Sequence, residues 1–190
     1  EGAVKAKNSA ETNANIAQTA SAHTVAAKAN EALTEIDETL EQLKSKKITE
    51  EEEVDDLLDK VVKADGKAKA ADWSTGKEAA KVNPEETARV AAELAHVAAA
   101  AANNLTSASQ LESKEVSSNV TEAEPEGQIE IKDAANKSFA AAEKADELLA
   151  QIRGQPEAAE KATEAAMQAV AERNAAEKEE KLVEAKVAQL

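Results

Sequence analysis

Three tripeptides, Asn104-Leu-Thr, Asn119-Val-Thr and Asn136-Lys-Ser, have the Asn-x-Ser/Thr spacing that permits attachment of a glycan to the asparagine amide in a secreted chain. They are the residues whose spacing most directly spells a chemistry. Asn119 lies in a polar stretch expected to be an exposed loop and is the most accessible acceptor. Asn104 falls on an expected packing seam, and all three are chance occurrences if the chain never enters the secretory pathway.

Other chemistries find little support. His23 and His96, the two histidines, each sit in an alanine-rich stretch with no neighbouring His-x-x-x-His or Glu-x-x-His pattern, so both read as partly exposed helix residues. The acidic run Glu50 to Glu53, with Asp55, Asp56 and Asp59, could attract a divalent cation diffusely. It lacks the glycine and the ligand spacing of an EF-hand loop and reads as a solvated face. Cysteine is absent, and with five glycines the chain shows no phosphate-cradling loop. The expectation is a non-enzymatic protein with no catalytic residue, no cofactor and no metal.

What must position the acceptors is helix. The 190 residues include 46 alanines and 30 glutamates, both strong helix formers. Leu, Ile, Val and Phe number only 32, which with a net charge of −15 approaches the composition of disorder. Periodicity opposes that reading. Ala26, Ala29, Leu33, Ile36, Leu40 and Leu43 repeat at alternating spacings of three and four, the apolar seam of a helix. A seam lined by methyl groups lets helix axes approach closely, while each turn buries little area, so many layers are needed. The acidic balance also argues against nucleic-acid or anionic-lipid binding.

The chain reads as a single elongated helical-bundle domain over 1–190, with helices at about 3–46, 49–65, 84–114, 133–153 and 156–190 and an exposed loop at 115–128. Thr49 and Glu52 form a capping-box pattern that favours a bend near Ile48, the alternative being one continuous helix to Asp65. Gly66 and Gly76 bracket a connection in which Trp73 anchors the bundle end. Asn83-Pro84-Glu85-Glu86 is a strong helix start. Beyond it Val90, Leu94, Val97, Ala101, Ala108 and Leu111 trace a seam. Ile129 and Ile131 give a weak strand alternation, and Phe139, Ala142, Ala145, Leu149 and Ile152 face inward on the fourth helix. The last helix carries Ala159, Ala162, Ala166, Ala169, Arg173, Ala176, Glu180, Val183, Val187 and Leu190 on one seam. There Arg173 and Glu180 either fix register or mark where the helix outruns its partners. The first long helix is expected to pack on those starting at Pro84 and Pro156.

These features, with the repeated blocks Ala91-Ala-Glu-Leu-Ala95, Ala141-Ala-Glu-Lys-Ala145 and Ala158-Ala-Glu-Lys-Ala162, resemble the glutamic acid/alanine-rich proteins of African trypanosomes. The resemblance covers the whole chain and is one of composition and architecture. It implies an all-α, elongated antiparallel helical bundle similar to the variant surface glycoprotein architecture, without its disulfides. It also implies a GPI-anchored coat on the extracellular face of the plasma membrane of insect-stage parasites. The partners would be neighbouring copies or other coat proteins, the membrane through a GPI anchor not present in this chain, and an undefined host or vector ligand. The competing readings are a cytoplasmic, talin-like scaffold that binds partner helices and a desiccation-type stress protein.

Overall fold

The structure, a computed structural model, describes residues 1–45, 51–116, 126–154 and 159–188. It is all-helical, with antiparallel packing, and comprises α1 (Gly2–Ala17), α2 (Ala20–Ser45), α3 (Glu51–Val82), α4 (Pro84–Val116), α5 (Glu126–Gly154) and α6 (Ala159–Val187). These gather into two compact units, Glu1–Asn83 and Pro84–Leu190. Within each unit every helix packs against the other two, giving a three-helix bundle.

The first long stretch is not one helix. Gln18 adopts the left-handed conformation at φ 50°, and its N–H donates to the Ala14 carbonyl at 2.9 Å. Thr19 then starts α2, its Oγ1 accepting the Ala22 N–H at 3.1 Å, as an N-cap does. No glycine or proline announces this break. Within the first unit α1, α2 and α3 pack on one another.

The helix expected over 49–65 continues to Val82, so Trp73 lies within α3 rather than in a connection. Lys77 Nζ stands 5.5 Å from the Trp73 ring centroid. Gly66 and Gly76 lie inside α3, where each weakens local helix preference by roughly 1 kcal/mol relative to alanine. Burial of Ala64, Ala68, Ala71 and Ala79 against α1 and α2 overrides that preference.

Asn83 and Pro84 separate α3 from α4 where the sequence indicates, and Glu85 and Glu86 occupy the positive end of the α4 dipole. The Ile129–Ile131 alternation belongs to the first turns of α5, not to a strand. The helix expected from Asp133 therefore starts earlier, at Glu126, and takes up residues 126–128 of the expected loop. The rest of that loop from 117 to 125 lies outside the described residues, as does the bend at Ile48.

The interiors are built from alanine. In the first unit Ala3, Ala6, Ala10, Ala14 and Ala17 of α1 meet Ala22, Ala26, Ala29, Ala32 and Ile36 of α2. In α4 the buried face is Thr87, Ala88, Ala91, Ala92, Ala95, Ala98, Ala99 and Ala102, whereas the expected seam residue Val97 is 61% exposed. Leu40 and Phe139, also expected inward, are exposed, and Thr39 and Ser138 beside them are buried. The small side chain goes inside because it permits the closest helix approach, and the longer one covers the rim. On α6 the seam matches the burial of Ala162, Ala166, Ala169, Arg173, Ala176, Glu180 and Val183, so Arg173 and Glu180 lie within the bundle rather than beyond it.

Candidate functional site

An open groove of about 500 Å³ lies between α4 and α5, lined by His96, Ala99, Ala100 and Asn103 from the first helix and Ala135, Asn136 and Phe139 from the second. The groove follows from the alanine packing. Ala99 and Ala135 point into the bundle and leave nothing tall between the two backbones, while positions one turn outward carry the amides and the ring.

Two interhelix contacts hold α4 and α5 in antiparallel register. His96 Nε2 lies 2.5 Å from Asp146 Oδ2, and Arg153 Nε donates to Glu85 Oε1 at 2.8 Å. On the far side of α5, the Ser138 hydroxyl is buried and donates to the Ala176 carbonyl of α6 at 2.9 Å, and Lys144 pairs with Glu172 at 2.8 Å. Lys186 of α6 pairs with Glu130 of α5. Ser138 thus fixes the rotation of α5 that turns Phe139, 52% exposed, outward into the groove.

Charge is balanced locally on the same helices. Arg89 bridges Glu86 and Glu93 one turn to either side; its hydrogen bond holds the Glu86 carboxyl below its usual value, and the two acids hold the guanidinium above its own. Hydrogen bonds to Asp133 and Glu172 likewise raise Lys137 and Lys144.

The three candidate acceptors do not converge. Asn104 is exposed on α4 rather than part of a seam, and Thr106 two residues on is buried, its Oγ1 donating to the Ala102 carbonyl at 2.8 Å. Asn136 is exposed in the groove, with its sequon hydroxyl Ser138 buried behind it. Asn119 lies outside the described residues. His23 is exposed on α2. Asp56 and Asp59 are exposed on α3, the latter 3.6 Å from Lys63, and the rest of the acidic run is not described at side-chain level. Among the described residues no three His, Asp or Glu side chains come together as a metal-binding group.

Reading the sequence as a seam missed the groove, because it placed Phe139 inside. The discriminating signal is Ser138: a small hydroxyl residue on an alanine helix competes well for the close-packed position and displaces its larger neighbour outward.

No protein-family model, curated protein or solved structure matches the chain. Among the described residues no helix is long and apolar enough to cross a membrane.

Proposed function

We propose that the chain is a non-enzymatic surface coat ectodomain of the kind formed by the glutamic acid/alanine-rich proteins of African trypanosomes, tethered by a GPI anchor and acting through dense lateral packing. The observation that supports this reading most directly is the segregation of residue size and charge. Alanines fill both three-helix interiors, while exposed lysines and acids cover the outside of a chain with net charge −15. A helix bundle packed on methyl groups is slender for its length, and like charge keeps neighbouring copies apart in solution until an anchor brings them together. The stretch around Asn119, which the sequence predicts to be an exposed loop, would then form part of the outer face, and neighbouring copies would be the principal partners.

The test uses the full precursor in its own cell. Intact cells are labelled with a membrane-impermeant amine reagent and then treated with a GPI-specific phospholipase C. Labelling followed by release into the medium is the expected result. An unlabelled protein that fractionates with the cytosol would overturn the coat reading in favour of an intracellular scaffold. Circular dichroism separates the remaining alternative, since a desiccation-type protein would show coil in dilute buffer where a bundle shows a cooperative helical melt.

A further inference from the structure

We infer that the α4–α5 groove is a carbohydrate-binding site, which takes a neutral sugar unit stacked on Phe139 and hydrogen-bonded by the Asn103 and Asn136 amides. The inference goes beyond the coat reading and does not require it.

The groove's volume of about 500 Å³ falls within the roughly 300–1,000 Å³ span of small-molecule sites. Its lining is chemically selective. Phe139 is the chain's single phenylalanine, and it is 52% exposed although alanine positions inside the bundle are plentiful. An exposed ring face carries negative quadrupole density, which attracts the polarised C–H groups on the apolar face of a pyranose.

Each asparagine amide offers two N–H donors and a carbonyl acceptor, a set that matches vicinal hydroxyls, each both donor and acceptor. Among the described residues, the side chains of Asn103 and Asn136 have no protein partner; only the Asn103 backbone carbonyl is engaged, accepting from Ser107. His96 is oriented by Asp146, so the imidazole is fixed at one end of the groove and its charge, when protonated, is compensated. Among the described residues no lysine, arginine or carboxylate lines the groove. Anionic and cationic ligands therefore find no counter-charge, and the floor of Ala99, Ala100 and Ala135 suits a flat ring.

Sugar of this kind has two sources, a free or neighbouring glycan and a glycan carried on Asn136 itself. The Ser138 hydroxyl is buried and committed to the Ala176 carbonyl, so the folded chain does not present the Asn136 sequon to a glycosyltransferase. A glycan transferred before α5 packs on α6 would still occupy Asn136, so the test separates the two sources.

The test has two arms. Full-length protein made in bacteria, hence unglycosylated, is titrated with N-acetylglucosamine, mannose and lactose while the Phe139 ring and the Asn103 and Asn136 side-chain amides are followed by NMR. Saturable shifts confined to these groups are expected for at least one sugar, with a dissociation constant on the order of millimolar for so open a site. Phe139→Ala should weaken that binding at least about tenfold. Its melt should stay unchanged, because the ring contributes little to the interior.

In the second arm, protein secreted from eukaryotic cells is mapped by mass spectrometry at Asn136 and compared before and after enzymatic deglycosylation. A bare Asn136 together with binding of free sugar supports the external source. An occupied Asn136 whose removal of glycan shifts the Phe139 ring supports the same groove filled by the chain's own sugar. No saturable shift with any of the three sugars, or shifts unaltered by Phe139→Ala, together with a Phe139 ring indifferent to Asn136 occupancy, overturns the proposal.

Discussion

Asn13 and Asp72 are buried where α1 meets α3, with Asn13 Nδ2 donating to Asp72 Oδ1 at 3.3 Å inside an interior lined mainly by alanine methyl groups. Methyl groups pack closely but look alike, so sliding a helix by one layer of alanines changes the apolar contacts little. Polar pairs such as this one, and Ser138 on the Ala176 carbonyl, make a slipped register costly because the displaced partner would stay buried and unpaired. The same tightness leaves no room for growth. Ala166→Leu should destabilise the second unit by about 1–3 kcal/mol through overpacking, whereas Val97→Ala should change stability by less than about 0.5 kcal/mol, both read from urea midpoints. The opposite ranking would mean that Val97, not the alanine row, faces the interior. Glu86 gives a pH signature. Arg89 lowers its carboxyl in the folded state, so its stabilisation is present above the ordinary carboxylate range and disappears as pH falls through the lowered value. Its side chain is 38% exposed, so solvent screening keeps the effect below about 1 kcal/mol. Glu86→Gln should therefore cost a little stability at neutral pH and progressively less as pH falls below the ordinary carboxylate range, which a urea series across that range resolves.

At the scale of elements, the break at Gln18 and the continuity through Gly66 are the two places where local preference and the observed helix part company. Gln18 holds a left-handed conformation that costs a residue with a Cβ roughly 1–2 kcal/mol, so Gln18→Gly should raise the midpoint of the first unit. Gly66 lies in ordinary helix with open space where a Cβ would project, so Gly66→Ala should stabilise by about 0.5–1 kcal/mol. A fall in either chemical-denaturation midpoint would contradict the helix boundaries. All-helical character, the Asn83-Pro84 boundary and the α6 seam through Arg173 and Glu180 were legible in the sequence, because caps and three-four spacing are local properties. The grouping of α1, α2 and α3 into one three-helix unit and the groove were not. Once alanine supplies most of the interior, hydropathy no longer separates inside from rim, and choosing Phe139 over Ser138 for the interior follows size when the fold follows closeness of approach. The break at Gln18 escaped for a related reason: its only advance sign was Thr19 as an N-cap, one of several threonines in that stretch.

Across the whole molecule, acids outnumber bases by 15, and the interhelix pairs Lys67–Glu35 and Arg153–Glu85 lie on exposed surface. Such pairs contribute little singly, so stability rests on the summed burial of the two alanine interiors. Those interiors carry a thermal consequence. Each buried methyl removes little apolar area from water, and the apolar area exposed on unfolding sets the heat-capacity increment. Scanning calorimetry should therefore give a value below the roughly 12–15 cal/mol/K per residue of ordinary globular proteins. A small increment flattens the curve of stability against temperature, so the protein loses little stability on cooling and sheds it gradually on warming, a tolerance of changing surroundings that a larger, oilier core would not provide.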